Sequence, residues 1–112
     1  MDCIFCKIIN GEIPSTKVYE NDRVLAFRDI APQAPSHIVL IPKKHYSDIL
    51  DIPSDSDEMN EILKAVKEIA KIEGMEESGF RIVNNCKSDG QQTVFHVHFH
   101  ILGKRQLTWP PG

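Results

Sequence analysis

Long apolar runs and clusters of basic residues are both absent from this 112-residue sequence. A membrane-spanning helix needs about 20 consecutive apolar residues, and no stretch approaches that length. The formal net charge is only −3, and no block of lysine or arginine indicates nonspecific binding to nucleic acid or to an anionic membrane. Hydrophobic residues make up 41% of the chain and charged residues 26%, which is ordinary for a globular protein and argues against wholesale disorder.

Cysteine is scarce, with only Cys3, Cys6 and Cys86 in the chain. The first ten residues, MDCIFCKIIN, lack the basic start and the apolar core of a secretory signal. We therefore expect a cytoplasmic protein with reduced thiols. In that compartment the Cys3-x-x-Cys6 spacing is typical of a metal site or a redox pair rather than of a structural disulfide.

Internal repeats are also absent, and the length fits a single domain spanning residues 1–112. Apolar patterns predict strands at 17–20, 23–27, 37–42, 80–85 and 93–102, with a short helix at 3–10 that Gly11 ends. A long helix is predicted over 55–73, with Ser54 or Asp55 as its N-cap and Gly74 just past its end. Its apolar stripe is formed by Met59, Ile62, Leu63, Val66, Ile69 and Ala70. Strands in succession with one long helix inserted indicate an α+β fold, with an antiparallel five-stranded sheet.

Three of the five histidines alternate in the segment TVFHVHFHILG (93–103), as His96, His98 and His100. Alternate residues of a strand share one face, so the three imidazoles are expected on one side of the sheet. Such a row fits either a metal site or a phosphate site in which one histidine attacks and others donate hydrogen bonds. The polar loop just before it, SDGQQT (88–93), offers N–H groups and hydroxyls to an anionic oxygen group. The intervening residues are expected to face the core, namely Thr93, Phe95, Val97, Phe99 and Ile101.

The heptapeptide His96-Val97-His98-Phe99-His100-Ile101-Leu102 is a complete match to the signature of the histidine-triad nucleotide-binding proteins. Three further segments fall in that family's order and spacing: IFCKIINGEIP, AFRDIAPQAPSHIVLIPKKH and the terminal WPPG. The chain thus resembles the histidine-triad family over its whole length, and its WPPG ending is most similar to the Hint branch, the purine nucleoside phosphoramidases. The resemblance implies a HIT-like fold and a homodimer, with the extended tail 104–112 at the interface.

The resemblance also implies roles for matching residues, with His37 and the triad as the catalytic set. His98 would attack the α-phosphorus and form a nucleotidyl-histidine, while His100 would donate to a phosphoryl oxygen. Asp29 would accept from both ribose hydroxyls, with Ile30 packed beside it. The other expected nucleotide contacts are Asn85 and Thr93 at the α-phosphate, Phe5, Ile8, Phe27 and Val39 around the base, and Trp109, which would reach the partner subunit's site.

A zinc site is a second implication of the resemblance. Cys3 and Cys6 supply two thiols at the right spacing, and four ligands are needed. His45 and His96 match positions that bind zinc together with such cysteines in some members of the superfamily. The zinc would be structural and would not be needed for catalysis, and Cys86 matches no ligand position. The alternative is a reduced, packed cysteine pair beside the first helix.

The expected activity is hydrolysis of the P–N bond of a purine nucleoside 5′-phosphoramidate. An AMP-type nucleotide would be the ligand, and no nucleic acid or membrane would be a partner. Two alternatives remain open from the sequence. One is hydrolysis of dinucleoside polyphosphates or adenylate conjugates at the same site. The other is a nucleotide-binding scaffold in which turnover is incidental.

Overall fold

The computed structural model describes residues 3–112 and contains two α-helices and five strands in that range. The strands form one antiparallel sheet in the order β1-β2-β3-β5-β4, so the predicted α+β class is confirmed. The elements in chain order are α1 (Ile4–Ile9), β1 (Lys17–Glu20), β2 (Val24–Arg28), β3 (Ser36–Pro42), α2 (Glu58–Glu73), β4 (Phe80–Val83) and β5 (Phe99–Gly103), with a 3-10 turn at Ile49–Asp51. No helix of the described range is long and apolar enough to cross a membrane.

The sheet carries a different helix on each face, because alternate residues of each strand point in opposite directions. One face packs under α2 through residues such as Ala26, Leu40 and Ile101, and this is the larger core. The opposite face packs against α1 and is also apolar. The buried residues of this second core are Cys3, Phe5 and Ile8 from α1 and its N-cap, together with Leu25, Phe27, Val39 and Ile41 from the sheet. The α1 face is the one on which the histidines lie, because His100 pairs with Val39.

The long helix begins three residues later than predicted, at Glu58. Its N-cap is Asp57, not Ser54 or Asp55, and the Asp57 side chain makes no capping bond. Instead its carboxylate accepts two hydrogen bonds from the Arg23 guanidinium, at 2.8 and 3.2 Å. The end of the helix is as predicted, because Gly74 adopts the left-handed conformation with φ of 69°.

Two residues of the predicted apolar stripe of α2 are not in the core. Met59 is 42% exposed and Leu63 is 51% exposed, while Ala65 is fully buried in their place. The buried stripe is therefore rotated around the helix toward Ala65 relative to the predicted one.

The predicted strand at 93–102 is shorter in the structure, since β5 covers only Phe99–Gly103. The ladder with β3 stops where Pro42 would have to donate an N–H that proline lacks. The Val97 N–H bonds to the Tyr46 carbonyl instead, at 2.7 Å. Val97, Phe99 and Ile101 are buried as predicted, but Thr93 and Phe95 are exposed, so the expectation that they face the core was wrong.

Candidate active site and metal centre

A cavity of about 600 Å³ opens between α1 and the sheet. Most of its wall is apolar, and its polar groups come from the ends of strands and from the segment before β5. Nine of the residues expected to bind a nucleotide line it: Phe5, Ile8, Phe27, Asp29, Ile30, Val39, Thr93, His98 and His100. The volume is in the range of pockets that bind small organic ligands.

His98 is held in one tautomer by the main chain. Its Nδ1–H donates to the carbonyl of His96 at 2.8 Å, so the lone pair is on Nε2. Among the described residues, none forms a hydrogen bond with Nε2 of His98, and the ring lies at the wall of the cavity. Burial lowers the pKa of His98, although the His96 carbonyl and Asp29 oppose the shift. The ring is therefore neutral at pH 7, which is the nucleophilic form.

His100 is oriented by a chain of two hydrogen bonds that starts at the backbone of residue 33. The Gln33 N–H donates to Nδ1 of His37 at 3.0 Å, so the proton of His37 is on Nε2. That Nε2–H donates to Nδ1 of His100 at 2.8 Å, which leaves the His100 proton on its own Nε2. Burial lowers the pKa of His100 to about 4, with His98 and His37 contributing. His100 is therefore a neutral N–H donor.

Asp29 closes a turn and also lies at the wall of the cavity. Its Oδ1 accepts from the Ala31 N–H at 2.8 Å, which closes a turn after β2. Its Oδ2 lies 3.4 Å from Nε2 of His37 and 4.0 Å from Nδ1 of His100. The carboxylate is thus fixed at the cavity wall by the turn that it forms.

Some of the expected site residues lie elsewhere. Asn85 and Trp109 do not line the cavity, and the Trp109 ring sits 5.8 Å from the Arg81 guanidinium. The neighbouring Asn84 has a defined role, because its amide donates to the His98 carbonyl at 2.9 Å. Ile30 lines the cavity but is fully exposed, so it does not pack beside Asp29 as expected.

Several cavity residues were not found from the sequence. They include Ile13, Pro14, Ser15 and Thr16, which follow α1, and Val94. Ser15 and Thr16 belong to no motif, and Ile13, Pro14 and Val94 lie in segments that match the family but were given no role in the site. A second feature missed was the buried amide of Gln92, which donates to the carbonyls of Ser47 and Val94 at 2.7 and 3.0 Å.

A four-residue cluster, which we call the Cys2His2 centre, consists of Cys3, Cys6, His45 and His96. One ligand atom from each lies within 4.8 Å of all the others. The His96 Nε2–H donates to the Pro42 carbonyl at 2.8 Å, so its Nδ1 carries a lone pair. That lone pair faces Cys3 Sγ at 3.3 Å, Cys6 Sγ at 3.6 Å and His45 Nδ1 at 3.1 Å.

These spacings suit a tetrahedral zinc ion. Bond lengths of about 2.3 Å to sulfur and 2.0–2.1 Å to nitrogen give S···N edges of about 3.6 Å and N···N edges of about 3.3 Å. Burial, together with the adjacent Cys3 thiol, raises the pKa of Cys6 to about 11. The Cys6 thiolate therefore needs a cation beside it, and the set of two sulfur and two nitrogen donors fits zinc.

A second cluster, Asp29, His37 and His100, has a similar spread of donor atoms. It does not suit a metal, because His37 carries its proton on the nitrogen that faces the cluster. Moving that proton to Nδ1 would oppose it to the Gln33 N–H. The second cluster is therefore joined by hydrogen bonds, whereas in the Cys2His2 centre His96 Nδ1 has a lone pair available to a metal.

Comparison with known proteins agrees with this geometry. A model of the HIT domain matches residues 10–107. A 14 kDa zinc-binding protein from Brassica juncea is 51% identical, with 99% of this chain and all of the relative covered. The adenylylsulfatase HINT1 of Arabidopsis thaliana is 52% identical, with 97% of this chain and 76% of that protein covered. A HIT family hydrolase from Legionella pneumophila Philadelphia 1 has a TM-score of 0.95 and 53% identity, covering 99% and 100% of the two chains.

The chain therefore belongs to the histidine-triad (HIT) family. Within it the chain is of the Hint type, with the N-terminal Cys-x-x-Cys pair, and hydrolases are among its relatives.

Proposed function

We propose that this protein is a Hint-type nucleotide hydrolase that cleaves the P–N bond of purine nucleoside 5′-phosphoramidates. The observation that supports this most directly is the state of His98. Its Nδ1–H is fixed on the His96 carbonyl, and its neutral Nε2 carries a lone pair at the wall of the cavity. A buried, neutral imidazole with one nitrogen held by the backbone is suited to nucleophilic attack.

In the proposed reaction, Nε2 of His98 bonds to the α-phosphorus as the P–N bond of the substrate breaks. The departing nitrogen takes up one proton from water and leaves as the neutral amine, while His98 becomes a cationic nucleotidyl-imidazole. Water then cleaves the bond between phosphorus and His98, releasing AMP, the neutral imidazole and one proton. The Nε2–H of His100 would donate to a phosphoryl oxygen as negative charge develops there.

The nucleotide would bind with its ribose on Asp29 and its base in the apolar part of the cavity. Phe5 and Phe27 pack edge to face with centroids 5.6 Å apart, and they form part of that wall. Flat bases are held well by such surfaces. We propose further that the protein acts as a homodimer and that Trp109 serves the partner's site, since it does not line the cavity of its own chain.

The test is steady-state hydrolysis of a fluorogenic adenosine phosphoramidate by the wild type and by His98→Ala. The variant should lose about three or more orders of magnitude in kcat/KM, because nucleophile deletions have effects of that size. It should still bind AMP, since the ribose and base contacts remain. Phe95→Ala is the matched control, because Phe95 belongs to the same segment, is exposed and does not line the cavity.

Two results would contradict the proposal. An active His98→Ala variant would exclude covalent catalysis by His98. A wild type that binds AMP yet turns over no phosphoramidate would exclude the enzyme assignment and favour a nucleotide-binding scaffold.

A second candidate substrate is adenylyl sulfate. A relative that is 52% identical over 97% of this chain is an adenylylsulfatase. The same attack by His98 would release sulfate in place of the amine, and sulfate needs no proton to leave. Comparing kcat/KM for adenylyl sulfate and an adenosine phosphoramidate decides between them. If kcat/KM is higher for adenylyl sulfate, adenylyl sulfate would replace the phosphoramidate as the proposed substrate.

We propose that the Cys2His2 centre binds one zinc ion. Zinc bound there would join α1 to the segments that carry His45 and His96. Protein purified without chelator should contain about one zinc per chain by elemental analysis, and Cys6→Ser should contain much less. Cys86→Ser is the matched control, because Cys86 lies outside the centre, and it should keep its zinc. A wild type with well under one zinc per chain would contradict this proposal.

A further inference from the structure

We propose that the Cys2His2 centre positions the nucleotide site, so that metal and nucleotide bind cooperatively. This inference rests on the proposed zinc and nucleotide sites and goes beyond a merely structural role for the metal. Three separate connections join the two sites. His96 and Phe5 each contact both sites, and Gln92 joins a segment next to a metal ligand to a segment at the cavity.

The first connection is His96 itself. Its side chain presents Nδ1 to Cys3 at 3.3 Å, while its main-chain oxygen accepts the Nδ1–H of His98 at 2.8 Å. The ring and the carbonyl belong to the same residue, so fixing the ring at a metal limits the movement of the backbone that carries the carbonyl. A ligand bond at Nδ1 therefore restrains the acceptor that fixes the tautomer of His98.

The second connection is Phe5, which lies between the two cysteines in sequence. Its ring edge meets the His98 ring with centroids 5.2 Å apart, and it lines the cavity. The helix α1 that carries it has only six residues. Helices this short are not stable alone, so their position depends on tertiary restraints. Cys3 and Cys6 provide such a restraint when a metal joins them to the sheet side of the molecule.

The third connection is the amide of Gln92. It donates to the carbonyl of Ser47, two residues after His45, and to the carbonyl of Val94 at the cavity. Its Oε1 accepts from the Lys87 N–H at 2.9 Å. The polar loop before the triad is thereby tied to the segment that carries a metal ligand.

Binding free energies that are coupled must be coupled reciprocally. Zinc should therefore tighten AMP binding, and AMP should tighten zinc binding by the same factor, which is about 5- to 150-fold for typical coupled sites. The experiment measures AMP binding by calorimetry with zinc-loaded and chelator-treated protein. Zinc affinity is measured against a chromophoric chelator, with and without saturating AMP.

Two variants separate positioning from general stabilisation. Phe5→Leu retains all four metal ligands, so it should bind zinc but show a smaller coupling factor. Val39→Ala also trims the cavity wall, from β3, and should weaken AMP binding equally with and without zinc. If the metal acted only by folding the chain, Phe5→Leu would leave the coupling factor unchanged, and that result would overturn the inference.

A spectroscopic measurement reads the first connection directly. Ring ¹⁵N chemical shifts report which nitrogen of His98 carries the proton. The zinc-loaded protein should show the Nδ1–H form alone, and the metal-free protein should show a mixture of tautomers.

Identical spectra with a coupling factor within about twofold of one would overturn this inference alone, provided that both ligands bind. A chain that takes up no zinc would overturn the proposed metal site together with the inference. A zinc-loaded protein that fails to bind AMP would overturn the proposed nucleotide site in the same way.

Discussion

The histidines show how one residue type acquires different chemistry from its hydrogen-bond partners. His98 donates from Nδ1, His96 donates from Nε2, and His37 accepts at Nδ1. Each of these partners is a main-chain group, so the fold itself assigns the tautomers. The result is a candidate nucleophile, a candidate metal ligand and a hydrogen-bonded link, all of them imidazole side chains.

The depressed pKa of His100 predicts a stability that depends on pH. The group titrates near 6.5 when exposed and at about 4 in the fold, so folding favours its neutral form. Its contribution is complete above about pH 6.5 and is lost progressively as the pH falls to about 4. The difference corresponds to roughly 3 kcal/mol at most, using about 1.4 kcal/mol for each tenfold change in proton affinity.

Urea denaturation of the wild type and of His100→Gln between pH 4 and pH 7 tests this. The glutamine variant cannot titrate, so its stability should fall less steeply below pH 6.5. Titratable groups that do not interact with His100 are common to both proteins, and their effects cancel in the difference. Parallel curves for the two proteins would contradict the assignment of a depressed pKa to His100.

The attachment of α2 to the sheet depends on a polar contact as well as on its apolar stripe. Glu73, the last residue of the helix, is buried and accepts two hydrogen bonds from Arg28, at 2.8 and 2.9 Å. The buried Ser36 hydroxyl donates to the same carboxylate at 2.8 Å. These contacts lower the pKa of Glu73, the guanidinium of Arg28 contributing most.

Removing Arg28 should lower the free energy of unfolding more than removing Glu73. Arg28→Ala leaves a buried carboxylate with Ser36 alone and should lower the free energy of unfolding by about 3 kcal/mol. Glu73→Ala leaves a guanidinium that water can reach and should cost about 2 kcal/mol. The control is the exposed Lys64, which pairs with Glu61 on α2, and Lys64→Ala should cost less than about 0.5 kcal/mol. Equal losses for Arg28→Ala and Lys64→Ala in urea denaturation would contradict this account.

At the scale of elements, periodicity predicted both helices and all five strands, while their ends depended on contacts distant in sequence. The predicted start of α2 was wrong because Asp57 bonds to Arg23, which is 34 positions away. The strand at 93–102 was too long because the absence of an N–H on Pro42 matters only once the two segments pair. A turn at Ile49–Asp51 carried no recognisable pattern.

The candidate site was predictable where a motif carried it. The alternating histidines and the cysteine pair are visible in the sequence, and the structure brings Cys3, Cys6, His45 and His96 together. The part that was not predictable consists of residues without a motif, such as Ser15 and Gln92, whose place at the site follows from strand pairing and a buried amide.

At the scale of the whole molecule, the edge strand β4 carries apolar side chains that are exposed. Phe80 and Ile82 of β4 point to the α2 face, since Ile82 pairs with Ile101, yet they are 36% and 47% exposed. The C-terminal tail lies beside this strand, because Arg81 donates to the Thr108 carbonyl at 3.0 Å. An edge strand with exposed apolar side chains is suited to association with another chain.

This edge is where the proposed homodimer should form. Sedimentation velocity should give a wild-type mass of twice the 12.7 kDa chain. Ile82→Glu should shift the protein to the monomer, because a charge would have to be buried in the interface. Leu50→Glu is the control, since Leu50 is also exposed and lies in the turn Ile49–Asp51, and it should remain dimeric. A monomeric wild type at micromolar concentration would contradict the proposal.

The acceptor that orients His98 is a backbone oxygen, and no side-chain substitution deletes a backbone oxygen. A mutational scan of every position would therefore detect the effects of His98 and its neighbours, but not the effect of the His96 carbonyl oxygen that orients the ring. That atom is accessible only to chemical synthesis. An ester in place of the peptide bond between His96 and Val97 would weaken this carbonyl as an acceptor and keep every side chain, although it would also remove the Val97 N–H that bonds to the Tyr46 carbonyl.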